Sequence, residues 1–104
     1  MTVQEPPSAA TAPLCLCLYV AGQSPNSQAA LVNLRAALEL LQVTDTAALE
    51  IVDVLLDPDR GVRDRVMVTP MLIKTAPPPE RRILGNLHDR AVLLGVLGRQ
   101  GGGA

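Results

Sequence analysis

The chain has 104 residues and a formal net charge of −1, and 48% of its residues are hydrophobic although only one of them, Tyr19, is aromatic. This length predicts one small domain whose core is built from aliphatic side chains. No apolar run is long enough to span a membrane, and residues 1–13 lack the basic region and apolar stretch of a signal peptide. With two cysteines and no export signal, we expect a reduced, cytoplasmic protein.

Charge is divided unevenly along the chain. Residues 1–59 hold seven acids and one base, whereas residues 60–104 hold eight bases and three acids. Such asymmetry predicts a basic face for an acidic partner, and the alternative is an ordinary solvated surface. A nucleic-acid partner is not expected, because no aromatic residues are interleaved with the bases.

The first half of the chain predicts a strand, a tight turn and a helix. Residues 1–13, rich in Pro, Ala, Ser and Thr, predict a disordered arm, and residues 14–20 are apolar on both faces, as in a buried strand. The loop YVAGQSPNSQAA follows, where Gly22 permits a turn, and Ser24, Pro25 and Asn26 suit the start of a helix. That helix should end near Gln42 and carry one apolar stripe of Leu31, Leu34, Leu38 and Leu41.

The second half predicts two further helices and three strands. Residues 49–56 are predicted to form a central strand parallel to the first, and residues 57–68 a short helix capped by Asp57 and begun by Pro58. Strands are expected at residues 70–74 and 81–85, on either side of a stiff proline loop. A last helix should be capped by Asn86 or Asp89 and present one apolar face of Leu87, Ala91, Leu94 and Leu97. Residues 99–104 form a flexible, glycine-rich tail.

The element order is βαβαββα, which is an α/β pattern of two parallel strands followed by an antiparallel pair. This is the order of thioredoxin-like proteins, which place a cis-proline where this chain has Thr69-Pro70. Thioredoxin-like redox proteins carry a Cys-x-x-Cys pair in the first turn, but here that turn has no sulfur. Cys15 and Cys17 lie upstream, within the first strand.

Three blocks of the sequence, LYVAGQSPNSQAALVNL, IVDVLLDP and TPMLIKTAPPPERRILGNL, resemble the KaiB family in their order and spacing. The resemblance covers about residues 14–97 and assigns residues 14–98 to a KaiB-like domain. It implies a non-enzymatic protein that binds the ATPase ring of a KaiC-type hexamer, modulates its phosphorylation or ATPase cycle, and acts in circadian timing.

The resemblance also implies two folds for one chain. One is a thioredoxin-like βαβαββα monomer, the fold-switched state, and the other is a βαββααβ form that assembles as a tetramer. The spacing of apolar residues in RAVLLGVLGR favours a helix over a strand, and the triple proline disfavours a helix around residues 77–79. We therefore expect the thioredoxin-like monomer to predominate.

The candidate partner-binding residues are basic. The resemblance implies that Arg65 and Lys74 match lysines that contact KaiC, and Arg81 and Arg82 lie near them in the second half. Together they suggest an electrostatic clamp on an acidic partner, against the alternative of a solvated face. If the chain exchanges folds, slow isomerisation at Pro70, Pro77, Pro78 and Pro79 is a natural rate-limiting step.

Other reactive residues favour structural roles. Cys15 and Cys17 point to one face of their strand and are expected to be small buried hydrophobes. Ser24 and Ser27 favour capping, Asp53 a structural role, and His88 an exposed place in the first turn of the last helix. No catalytic residue, metal ligand or cofactor is predicted. Two other functions stay open: a thiol-redox or stress-related protein using Cys15 or Cys17, and a sensor domain separated from a histidine kinase.

Overall fold

A computed structural model describes residues 14–98, so the predicted arm (1–13) and tail (99–104) lie outside the described residues. Within them the predicted element order is confirmed. The elements are β1 (Cys15–Val20), α1 (Pro25–Leu40), β2 (Ala48–Asp53), α2 (Pro58–Arg63), β3 (Met71–Ala76), β4 (Arg81–Leu84) and α3 (Arg90–Leu97). None of these helices is long and apolar enough to cross a bilayer.

The four strands form one mixed sheet in the order β2-β1-β3-β4. β1 runs parallel to β2 and antiparallel to β3, and β3 pairs antiparallel with β4. The expectation that β2 is a central strand is wrong, because β2 lies at an edge. Only Val52 of this strand is buried, and Ile51 is 41% exposed. Apolar residues at both odd and even positions of this strand therefore do not indicate that both of its faces are buried.

The larger core lies on the face of the sheet that α1 and α3 cover. Leu16, Leu18 and Val20 of β1 pack there with Leu34 and Leu38 of α1, and with Leu72, Leu93 and Leu97 of the second half. The predicted leucine stripe is confirmed, since Leu31 and Leu41 also pack against this core. Of the face predicted for the last helix, Leu87 and Leu97 are buried and Leu94 packs against the core, whereas Ala91 is exposed and Leu93 is buried in its place.

The opposite face of the sheet carries a smaller cluster of Cys17, Tyr19, Val52, Met71 and Ile73. It is covered by the segment between β2 and β3, which contains α2. This helix is shorter than predicted, because the chain leaves the helical conformation at Asp64 and reaches φ +60° at Arg65. Asp57 caps it and Pro58 begins it, as expected.

Local signals also set the remaining boundaries. Asp89 accepts a hydrogen bond from the Val92 amide and caps α3, whereas the Asn86 side chain accepts one from the His88 amide. His88 is exposed as predicted, but it precedes the cap instead of lying in the first turn of α3. The Thr69–Pro70, Ala76–Pro77 and Pro78–Pro79 peptide bonds are cis. Pro70 and Pro77 are buried, whereas Pro78 and Pro79 are exposed.

Candidate docking site

The loop between β1 and α1 is held by its own polar groups. Ser24 Oγ accepts a hydrogen bond from the Ser27 amide, and the buried Ser27 Oγ accepts one from the Ala21 amide at 3.1 Å.

Asp53 Oδ1 accepts hydrogen bonds from the Gly22 amide at 3.0 Å and from the Leu55 amide at 2.9 Å. Gly22 has φ +60°, which a side chain disfavours, and Pro25 and Asn26 are exposed at the start of α1. Ser24 therefore caps α1 and Pro25 begins it, as predicted.

A polar network joins the smaller-cluster face of the sheet to α2. The Arg60 guanidinium makes two hydrogen bonds to the Glu50 carboxylate of β2, at 2.8 and 2.9 Å. The Tyr19 hydroxyl donates to the carboxylate of Asp64, which also accepts from Arg63 at 3.2 Å. These contacts hold α2 on the sheet. No sequence pattern predicted this network, although a lone tyrosine inside an apolar strand indicates a hydroxyl that needs a partner.

Burial and hydrogen bonds in this network shift the pKa values of three of its side chains, and each shift favours the protonation state that keeps the hydrogen bonds. The hydrogen bonds from Arg60 lower the pKa of Glu50, and the hydrogen bond from Tyr19, followed by that from Arg63, lowers the pKa of Asp64. Burial and the bond to Asp64 raise the pKa of Tyr19 well above its ordinary range. At neutral pH both carboxylates are therefore charged and the phenol is protonated.

Cys17 lies under this network, and its surroundings weaken the case for thiol chemistry. Its residue is 8% exposed, and Arg60 Nη2 lies 3.9 Å from its Sγ. Burial raises the pKa of the Cys17 thiol, although a hydrogen bond with Tyr19 partly opposes this effect. Cys15 is only half-buried, so the expected burial holds for Cys17 alone.

We expect the Cys17 thiol to react slowly in the native protein. In a Cys15→Ser variant, its reaction with a disulfide reagent at pH 7 should be at least about tenfold slower than in the same protein unfolded in urea, because thiolate is scarce and access is poor. Stopped-flow absorbance measures both rates. A fast reaction with a low apparent pKa would instead support the redox alternative.

The four candidate basic residues do not form one surface. Lys74 pairs with Arg81, and Ile73 pairs with Arg82, across β3 and β4. Because side chains alternate along a strand, Lys74 and Arg81 lie on the sheet face of α1 and α3, and Arg82 lies on the face of α2. Arg82 donates to the Asp64 and Arg65 carbonyls at the end of α2, and to Glu80. It therefore fixes the end of α2, and its guanidinium is not free.

Lys74 is not part of a solvated face. The residue is 5% exposed, and its Nζ donates to the Pro77 carbonyl and, at 3.0 Å, to the Pro79 carbonyl. Burial, and then the charge of Arg81, lower its pKa. The clamp expected from the sequence thus needs correction: in this fold Lys74 holds the proline loop from inside, because the register of β3 turns its side chain toward the core. Arg65 and Arg81 are both exposed.

The segment between β2 and β3 exposes a set of apolar side chains that the sequence analysis did not single out. Val62 is 79% exposed, Met67 87% and Val68 51%. In the turn after β2, Leu55 is 69% exposed and Leu56 84%. We call these five residues, together with Arg65, the docking face. Several exposed apolar side chains in one short segment, beside a cation, are typical of a protein-binding site. In the sequence, the signal for this surface is the pair Leu55 and Leu56, which continues the apolar run past the end of β2.

Comparison with known proteins places these features in a family. The family model described as the KaiB domain matches residues 17–98. The circadian clock oscillator protein KaiB of Parasynechococcus marenigrum (strain WH8102) is 48% identical over 82 residues, which span 78% of each chain. Its namesake in Synechococcus sp. (strain RCC307) is also 48% identical over 82 residues, covering 78% of this chain and 74% of that protein.

Solved structures agree on the fold. The N-terminal domain of SasA from Synechococcus elongatus superposes with a TM-score of 0.71 and 26% identity, covering 93% of this chain and 90% of that one. Chloroplastic thioredoxin z superposes with a TM-score of 0.68 at 17% identity, covering 88% and 80% of the two chains. The predicted thioredoxin-like fold is thus confirmed.

Proposed function

The chain belongs to the KaiB family, and from this premise we propose that it is a non-enzymatic circadian clock protein that binds a KaiC-type hexameric ATPase. Binding would modulate the phosphorylation or ATPase cycle of that hexamer. The proposal uses the thioredoxin-like scaffold for docking, since the loop that carries sulfur in redox relatives carries only capping and turn chemistry here.

The docking face is the observation that carries this proposal. Five apolar side chains between residues 55 and 68 are at least half exposed in a domain of 85 described residues. Removing such surface from water is favourable by about 25 cal/mol per Å², so it provides a driving force for association. Because α2 is held on the sheet by Arg60, Tyr19 and Arg82, the face is presented rigidly, which lowers the entropic cost of docking.

Arg65 supplies the charge of this face. It is exposed immediately after α2, and its backbone at φ +60° directs the chain away from the helix. The Arg82 guanidinium donates a hydrogen bond to the Arg65 carbonyl at 3.3 Å and so fixes the backbone of Arg65. We propose that Arg65 meets an acidic group of the hexamer and that Arg82 acts as a positioning residue, whereas Lys74 and Arg81 belong to a different face.

The proposal is tested by measuring binding to a KaiC-type hexamer from the same genome by calorimetry. Met67→Glu and Arg65→Glu should each weaken binding at least about tenfold, because they place a repelling charge in the interface. Val32→Glu and Arg35→Glu make the same two changes on α1, behind the opposite face of the sheet, where Val32 is 66% exposed. Both controls should leave binding unchanged.

Equal affinity of the wild type and both docking-face variants would contradict this site. Equal loss in the α1 controls would place the interface elsewhere. Absence of any binding by the wild-type chain would argue against the function itself.

We further propose that the chain can exchange folds, as its family membership suggests, with a monomer in the thioredoxin-like state and a tetramer in the other. The elements of the second half that would have to rearrange are short, since α2 has six residues and β4 has four. Chemical shifts of residues 90–97, which form a helix here, should report a strand in any alternative state, and sedimentation should report its mass. The kinetic role of the four prolines stays a prediction.

A further inference from the structure

A groove lies between β4, the proline loop and α3, and none of its lining residues belongs to the docking face. Its volume is about 710 Å³, and its walls include Pro79, Ile83, Val92 and Val96. Gly95 of α3 lies in one wall, and a Cβ built on it would have no atom within 4 Å. The groove is therefore open where a side chain would otherwise fill it, and its size is that of an ordinary ligand site.

The charge of this groove has one sign. Lys74, Arg81 and Arg82 line it, and none of its described lining residues is acidic. The Lys74 ammonium is buried against two carbonyl oxygens, and the like charge of Arg81 acts on it and lowers its pKa further. A buried cation without a counter-charge is costly, so an anionic group entering the groove would gain from both residues.

One wall of the groove is the open edge of the sheet. β4 pairs with β3 on one side and is the last strand in the sheet order, so within the described residues its other side has no strand neighbour. An unpaired edge accepts an extended peptide, which extends the sheet by main-chain hydrogen bonds. Side chains alternate along β4, so Arg81 and Ile83 share one face of the sheet. Their partners across β3, Lys74 and Leu72, lie on the face that α1 and α3 cover. Arg81 and Ile83 therefore point toward the groove.

We propose that this groove binds an extended acidic peptide of another protein, which pairs with the outer edge of β4. The alternation of side chains fixes the pattern that the peptide must carry: an apolar residue opposite Ile83 and a carboxylate two positions away, opposite Arg81 and near Lys74. The site is distinct from the docking face, so its failure would leave the proposed hexamer binding intact.

The test uses the full chain and a fluorescein-labelled probe, Thr-Val-Thr-Glu-Thr, with binding followed by fluorescence anisotropy. Wild type should bind saturably, and the Glu-to-Lys probe should bind at least about tenfold more weakly. A probe N-methylated on alternate amides, which cannot pair with an edge strand, should lose binding to a similar degree. Amide shifts measured by NMR should concentrate on Arg81–Leu84.

Matched variants place the site. Gly95→Leu should fill the groove and Arg81→Glu should repel the carboxylate, each weakening the probe at least about tenfold. Gly95→Ala and Arg35→Glu are the controls and should bind as wild type does. Calorimetry with the hexamer should give the same affinity for Gly95→Leu as for wild type.

Several results would overturn the proposal. These are absence of saturable binding up to about 1 mM probe, and equal binding by Gly95→Leu and Arg81→Glu. Full competition by propionate alone would show a simple anion site instead. A dimer mass in sedimentation that the probe converts to a monomer would show that a second copy of this chain is the occupant.

Discussion

Replacing Leu34 with alanine should lower the free energy of unfolding by about 3–5 kcal/mol, the cost of truncating a fully buried leucine whose site cannot collapse. Leu34 has 0% exposure and lies in α1 against the leucines of β1. The core of this chain has one aromatic side chain, Tyr19, so no large ring is available to fill the cavity. The loss should appear as a lower midpoint of urea unfolding, followed by circular dichroism, with an unchanged slope.

Leu40 provides the matched control, because it belongs to the same helix and takes the same substitution. Its exposure is 57%, and alanine has the higher helix propensity, so Leu40→Ala should change stability by less than about 0.5 kcal/mol. Equal losses in the two variants would mean that α1 is not packed as described. An unfolding slope that changes in Leu34→Ala would indicate a change in the denatured state.

Replacing Tyr19 with phenylalanine should cost about 1.5–3 kcal/mol at pH 7, the range for a hydrogen bond to a charged partner. The ring is 1% exposed and should stay in place, so the change removes the bond between the hydroxyl and Asp64 together with the hydrogen bond to Cys17. A double-mutant cycle with Asp64→Asn measures the coupling between the two groups. A coupling energy near zero would mean that the bond does not stabilise the fold.

The same variant predicts a pH dependence. Because the pKa of Asp64 is lowered in the folded protein, the stability from this carboxylate is present above the ordinary pKa of an aspartate, and it is lost as the pH falls through the lower folded value. The Tyr19 bond is the main cause of that lowering, so Tyr19→Phe should lose less stability between about pH 4 and pH 2 than wild type does. Urea midpoints measured across this range test the sign. A steeper loss in the variant would contradict it.

The two proposed binding surfaces can be tested separately. The docking face consists of five exposed apolar side chains and Arg65, all between residues 55 and 68. The groove lies between β4 and α3 and is lined by three bases. A partner could therefore occupy one surface while the other stays accessible, and the variants of each surface serve as controls for the other.

Features that depend on neighbours along the chain follow from the sequence alone. Ser24, Asp57 and Asp89 cap the helices that follow them, since each side chain bonds an amide three residues ahead. The turn at Gly22 and the order of the seven elements follow from equally local rules. Three ordered blocks of residues were enough to indicate the family.

The contacts between side chains that lie far apart in the sequence follow only from the fold. Tyr19 and Asp64 are 45 residues apart, and Arg82 reaches the carbonyl of Asp64 18 residues away. The edge position of β2 and the burial of Lys74 also depend on which strands lie beside each other, and that choice does not appear in the periodicity of any one strand. The partner-binding role of the four candidate basic residues stays a prediction, and their division between a buried support, a helix brace and two exposed charges required the fold.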